Sequence, residues 1–172
     1  MKALTTLLLL ASTTLASADA APKPEPTDPK LAPLIGRWEG KSQLRIRTEK
    51  LVLNTTMSCE RATIGPALVC STTAVEPKGP RRLEETWLIG YDRASDTYHL
   101  FTVNNWGEAY DHTAKLGTLN KWDFEHVGTR DGKPLRERYS WELSGNQFTM
   151  TGKISLDGTP FAEGTSTMKR VP

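Results

Sequence analysis

The side chains of widest chemical range in this chain are its three histidines, His99, His112 and His126, with carboxylates spaced among them. Each histidine sits in a segment where apolar or aromatic residues alternate with polar ones, so side chains two apart share a face. A register drawn through the turns sets all three histidines on consecutive strands and on the inner face, together with Glu85, Glu137 and Glu163. In that register His99 lies directly opposite His112, and His126 sits on the diagonal of the next strand. Cross-strand neighbours stand ~5 Å apart and diagonals ~7–8 Å. Three imidazoles at such spacing can converge on one ion and leave a fourth position open, as in a catalytic zinc site. A second reading pairs His126 with Glu137, a base and its carboxylate partner for general acid–base chemistry. A third is structural, because a buried carboxylate needs hydrogen-bond partners to offset its lost hydration. Three histidines from three segments specify less than a His-Glu-x-x-His pair on one helix, and no metal ligand, catalytic residue or cofactor is assigned.

The elements that must position these groups are strands. Turn signals recur at short, nearly even spacing: Gly65-Pro66, Gly79-Pro80, 93–96, 104–107, Gly117, Asp131-Gly132, Ser144-Gly145 and Asp157-Gly158. Between them lie about ten segments rich in Val, Thr, Tyr, Trp and Phe, and none holds a helical period. This pattern predicts an all-β protein, an antiparallel up-and-down β-barrel of about ten strands. The Asp131-Gly132 pair favours a two-residue type I′ turn and fixes its flanks. His126 then faces Glu137, Phe124 faces Tyr139 and Trp122 faces Trp141, with Asp123, Glu125, Arg136 and Arg138 on the other face. Turning at Ser144-Gly145 pairs Trp141 with Phe148, and turning at Asp157-Gly158 sets Ile154 against Phe161, bringing Glu163, Thr165 and Thr167 inside. In the other direction Tyr110 and His112 share the inner face, a turn near Asn105-Trp106 adds His99, Phe101 and Val103, and Glu85, Trp87 and Ile89 follow. A one-residue error in any loop would flip its strand.

Trp87, Tyr110, Trp122, Tyr139 and Trp141 thus face inward with His112, His126 and Glu137. Two readings stay open: a packed core, or the wall of an apolar cavity with a few polar groups, as small-molecule sites are built. Ten strands enclose more width than side chains alone readily fill. These eight residues are the candidate ligand-binding set.

The chain has 172 residues, 37% hydrophobic, with five Trp and a net charge of +2 whose two signs are interspersed. That argues for one domain and gives no Lys/Arg stripe for nucleic acid. Met1-Lys2, the apolar run to Ala11 and the small residues up to Ala20 have the three parts of a secretory signal over 1–20. The run is shorter than the ~20 residues a membrane span needs, so a periplasmic or secreted protein without a membrane span is expected. Five prolines follow in 21–33, read as an extended linker ahead of a barrel domain at 34–172. Cys59 and Cys70 are the only cysteines, and folding about 64–66 sets them opposite one another as one disulfide. Phosphate-loop, nucleophile-elbow and dinucleotide motifs are missing.

The stretch Leu34-Ile-Gly-Arg-Trp-Glu-Gly40 opens the barrel, with Gly36, Trp38 and Gly40 on one face, a large ring between two small residues. Together with Trp-Leu-Ile-Gly-Tyr-Asp at 87–92 and the later Asp-Gly hairpins, it resembles the calycins. More narrowly it is similar to secreted bacterial lipocalin-like proteins with a Gly-x-Trp-x-Gly entry, over roughly 31–171. The resemblance implies a barrel that holds a small hydrophobic or amphipathic ligand, usually without catalysis. Nitrobindin-type relatives share the entry and bind haem through a late histidine; this chain has none after His126. The alternatives are a hydrolase or isomerase using the inward His/Glu cluster, with or without zinc, and a filled barrel that docks an envelope protein.

Overall fold

The computed structural model describes residues 27–172 except 64 and 116–119. Ten strands follow a short 3-10 turn at Ala32–Leu34: β1 (Gly36–Ile46), β2 (Glu49–Arg61), β3 (Leu68–Val75), β4 (Arg82–Asp92), β5 (Thr97–Asn104), β6 (Ala109–Lys115), β7 (Lys121–Arg130), β8 (Lys133–Ser144), β9 (Gln147–Leu156) and β10 (Thr159–Val171). Each pairs antiparallel with the next, and β1 pairs with β10 to close the barrel. The alternation predicted for a half-buried sheet is present throughout. On β2, Leu51, Leu53, Thr55, Met57 and Cys59 are buried while the residues between them are exposed. The outward side chains of β1 include Arg37, Glu39, Lys41, Gln43 and Arg45. A membrane barrel carries an apolar band outward; here β1 turns Trp38 inward and its charged residues outward. No helix among the described residues is long and apolar enough to cross a membrane.

One end of the barrel is sealed. Trp38 is fully buried between Gly36 and Gly40, and its indole N–H donates to the Leu34 carbonyl at 2.9 Å. The Arg170 guanidinium lies 4.3 Å from the ring centroid and donates to the carbonyls of Ile35 and Pro33. Leu31 and Leu34 are buried beneath it, and Phe148, Trp122, Phe124 and Trp141 fill the layer above. From Thr27 onward the proline-rich segment is therefore part of the floor rather than a free spacer: Asp28 accepts from the Tyr98 hydroxyl at 3.1 Å, and Thr27 from Arg61 at 2.8 Å. The signal segment and 21–26 lie outside the described residues.

Cys59 and Cys70 are directly paired across β2 and β3 and form the expected disulfide. The loop it closes is short, so its stabilisation in the chain-entropy model is about 2–3 kcal/mol.

The hairpin at Asp131-Gly132 has φ of 52° and 74° at its two central residues, the type I′ signature, and pairs His126 with Glu137 and Trp122 with Trp141 as predicted. Three other registers differ. The β8–β9 loop is Gly145-Asn146, pairing Trp141 with Met150 and Leu143 with Phe148. That slip of two residues leaves the inner face unchanged. In β10, Phe161 is an extra residue: Pro160 pairs Ser155 and Ala162 pairs Ile154. This bulge reverses the strand's facing, so Ser166 and Met168 are buried while Glu163, Thr165 and Thr167 point out, and Glu163 pairs with Arg45 at 2.8 Å. Between β5 and β6, Asn104 organises the turn, its Oδ1 accepting from the backbone of Trp106 at 3.0 Å and Glu108 at 3.1 Å. The pairing then sets Leu100, not His99, opposite His112. Phe101 and Val103 are exposed, His99 contacts Asp111 on the outer face at 3.1 Å, and the inward residues are Tyr98, Leu100 and Thr102.

Gly40 marks the tightest point of closure. A Cβ there would stand 2.0 Å from the Thr167 carbonyl oxygen and 2.7 Å from the Met168 Cα, both backbone atoms of β10. Gly40→Ala is expected to destabilise the fold by about 1–3 kcal/mol, the range for overpacking, read as a lower urea midpoint at unchanged slope.

Candidate functional site

Above the floor the interior is not filled. A cavity of about 250 Å³ occupies the half of the barrel toward the β1–β2, β3–β4, β5–β6, β7–β8 and β9–β10 turns. Its apolar wall includes Leu53, Leu83, Leu100, Met150 and the indoles of Trp87 and Trp141, whose ring centroids are 5.0 Å apart. Polar groups interrupt that wall at intermediate depth. Ser42, Thr55 and Ser166 bond one another, at 2.6 Å and 2.5 Å from the Ser42 hydroxyl. Thr72 Oγ1 and the N–H groups of Trp87 and Trp141 are buried without a hydrogen-bond partner. Buried polar groups in folded proteins are rarely left so.

Glu137 reaches this cavity from β8, and behind it stands His112 of β6. His112 Nε2 lies 2.8 Å from Glu137 Oε2, and both residues are almost fully buried. The other ring nitrogen, Nδ1, lies 3.3 Å from the Leu100 carbonyl, which can only accept, so that nitrogen carries a hydrogen. The Nε2–Oε2 contact therefore needs one further proton, held on imidazole or on carboxyl. Both nitrogens are committed, and His112 does not itself line the cavity. Its geometry orients Glu137 rather than presenting a free base to a ligand.

His126 is Glu137's backbone neighbour but not its side-chain partner. Its Nδ1 bonds the Asp111 carbonyl at 2.9 Å, and its ring packs 4.7 Å from that of Tyr110. Among the described residues the β6–β7 ladder has one paired position, Thr113 with Glu125. The His126 side chain thus supplies a β6–β7 link where backbone pairing is thin. The predicted His126–Glu137 bond is corrected to His112–Glu137. The three-histidine convergence is also corrected: His99 faces outward, and no group of three His, Cys, Asp or Glu among the described residues can hold a metal ion.

Glu85 is a second acid of the cavity. Burial pushes its carboxyl up to about 7 from 4.5; the Trp87 indole and His112 pull it down in part, and the like charges of Glu137 and Glu108 push it further up. The Trp87 N–H stops short of a hydrogen bond with any acceptor. Tyr139, beside these acids, is raised well above its ordinary value by burial first and then by Glu137 and Glu85, so it remains a phenol that can donate. At the mouth, Glu108 pairs with Arg130 at 2.5 Å and accepts from Asn104 at 2.8 Å. Phe161 lies under the guanidinium groups of Arg47 and Arg130, each 5.4 Å from its centroid.

Of the eight residues singled out from the sequence, Trp87, Tyr110, Glu137, Tyr139 and Trp141 line the cavity. His112 holds Glu137 from behind, His126 joins two strands, and Trp122 is packed into the layer below. Glu85, which the sequence register also places inward, lines the cavity outside that set. Thr72, Ser166 and the Glu108–Arg130 pair went unread: the first two are ordinary strand residues, and the last two flank turns, where charges are usually solvated.

No family model matches the chain, and no curated protein matches it in sequence. Among solved structures, the barrel is similar to Rv2717c from M. tuberculosis, with 14% identity, 85% of this chain and 99% of that one covered, and a TM-score of 0.68. A second match, BF2706 from Bacteroides fragilis, has 9% identity over 83% of this chain and 99% of that one, with a TM-score of 0.26. At such identities the first likeness shows a shared fold, a closed antiparallel β-barrel, and nothing further.

Proposed function

We propose that this chain is an exported binding protein that holds a small hydrophobic or amphipathic molecule in the upper half of its barrel. The observation that carries the reading is the cavity itself: walled by Trp87, Trp141 and Met150 above a sealed floor, with unpartnered polar groups along it. Small-molecule sites combine a mostly apolar wall with a few fixed polar groups. The volume, about 250 Å³, lies just under the ~300–1,000 Å³ usual for drug-sized ligands, so the ligand is compact. Tyr110, Glu137 and Tyr139 supply its polar contacts, with His112 positioning Glu137. Export is supported by the signal-like segment at 1–20 and by the Cys59–Cys70 disulfide, a bond that persists in oxidising compartments.

The neutral amphiphile phenylbutanol is expected to bind with one-to-one stoichiometry in calorimetry and to shift the tryptophan emission, since two indoles line the cavity. Ala74→Phe, which places a ring in the wall, should abolish binding while leaving the circular dichroism spectrum intact. Non-saturable uptake, or saturable uptake unaffected by Ala74→Phe, would argue against the reading.

An unoccupied apolar cavity that holds an acid should also weaken the fold. Glu85 titrates near 7 in the folded protein and near 4.5 unfolded, so the folded state binds the extra proton between those values. Its contribution is intact below about 4.5 and is lost as pH rises through about 7. Glu85→Gln is therefore expected to raise unfolding free energy by on the order of 1–3 kcal/mol near pH 8, and to change little near pH 4. Equal effects at the two pH values in denaturant titrations would contradict the assignment.

A further inference from the structure

The carboxylates that reach into the cavity are paired, with one exception. Glu137 has His112, Glu108 has Arg130 and Asn104, and Ser42 has Thr55 and Ser166. Among the described residues Glu85 has no ion-pair partner, and the Trp87 indole, which pulls its carboxyl down in part, stops short of a full hydrogen bond to it. Its strand neighbours on the inner face are Thr72 on one side and Asn104 on the other. The Thr72 hydroxyl is more than nine-tenths buried and unpartnered, while Asn104 donates away from Glu85, to Glu108. Trp87 follows two residues along the same face, with Trp141 against it.

We infer that the cavity selects a small organic cation, a protonated amine on an apolar or aromatic body, whose ammonium group sits at Glu85 and Thr72 and whose body lies along Trp87 and Trp141. This rests on the binding reading above and names the ligand class for the same site. An anionic ligand would stand against the Glu85 carboxylate in a low-dielectric space, where like charges repel strongly. A neutral alcohol would satisfy one oxygen and leave the remaining charge uncompensated. An ammonium supplies the missing charge and three donors, enough for the Glu85 carboxylate and the Thr72 oxygen together. Indole faces attract cations as well. The two arginines at the rim do not compete: Arg130 is held at the mouth by Glu108, and Arg47 stands over Phe161.

The test is calorimetry on the mature protein near pH 8 with three probes of one shape: phenylbutylamine, phenylbutanol and phenylbutyrate. The amine is expected to bind at least tenfold more tightly than the alcohol, and the carboxylate most weakly. Glu85→Gln should remove the amine's advantage, and Thr72→Val should reduce it several-fold. An alcohol or carboxylate that matches the amine, or an amine preference that survives Glu85→Gln, overturns the inference and leaves the binding protein standing. If none of the three probes binds, both readings fall together.

Discussion

Closure at the β1–β10 seam is the constraint on which the rest of the structure depends. Ten strands can form one continuous wall only if the first and last approach closely enough to pair, and the bend that brings them together crowds the backbone. Two residues without side chains absorb that crowding. A Cβ at Gly40 would overlap the backbone of β10, and one at Gly164 would stand 2.8 Å from the Gln43 carbonyl oxygen. Glycine in a strand usually weakens it, but here it permits the approach that removes both sheet edges. The Trp38 ring then plugs the sealed end, and Arg170 covers it while bonding the chain that leads in. One short motif therefore sets closure, plug and entry path together.

The seal at that end decides what the other end can be. Aromatic residues from β7, β8 and β9 meet Trp38 in a continuous packed layer, with Phe148 6.0 Å from Trp38 and 5.5 Å from Trp141. Toward the mouth the inward residues become smaller or polar: Ser42, Thr55, Thr72, Ala74, Gly152 and Ala162. Volume lost from the wall becomes volume in the cavity. An apolar core of the same size would be more stable, which is the usual exchange between stability and a site. The barrel's exterior carries interspersed charges of both signs, while its interior collects Glu85, Glu108 and Glu137. Charge is thus partitioned by depth.

How far this was legible in the sequence can be followed strand by strand. The all-β class, the ten strands, the Trp38 plug and the disulfide rest on alternation and on strong turn residues, and these are local signals. The β7–β8 hairpin was readable to the residue because Asp131-Gly132 admits one tight turn. Errors arose where a loop's length is set by something the pattern does not show. Asn104 caps its own turn through its side chain and moves β5 by one residue, which turned His99 outward and put Leu100 inside. The extra residue at Phe161 did the same to Glu163 and Ser166. The two-residue slip between β8 and β9 went unnoticed in its consequences, because a period of two forgives even errors. Side-chain choice between equivalent neighbours was not legible at all: Glu137 faces His126 along the ladder yet bonds His112 one strand further.

That choice bears on what the interior can do. A histidine with one nitrogen on a backbone carbonyl and the other on a carboxylate is fixed in rotation and has no lone pair left to offer. It can hold Glu137 in place and share a proton with it, but a ligand in the cavity meets the carboxylate, not the imidazole. Glu85, with no such partner, is the acid whose state a ligand can change. Two carboxylates at similar depth thus differ in kind: Glu137 has its charge settled by the protein, and Glu85 does not. Titratable groups whose environments differ in this way divide roles within one site. In this barrel Glu137 is fixed as part of the wall by His112, and Glu85 faces the cavity without an ion-pair partner among the described residues.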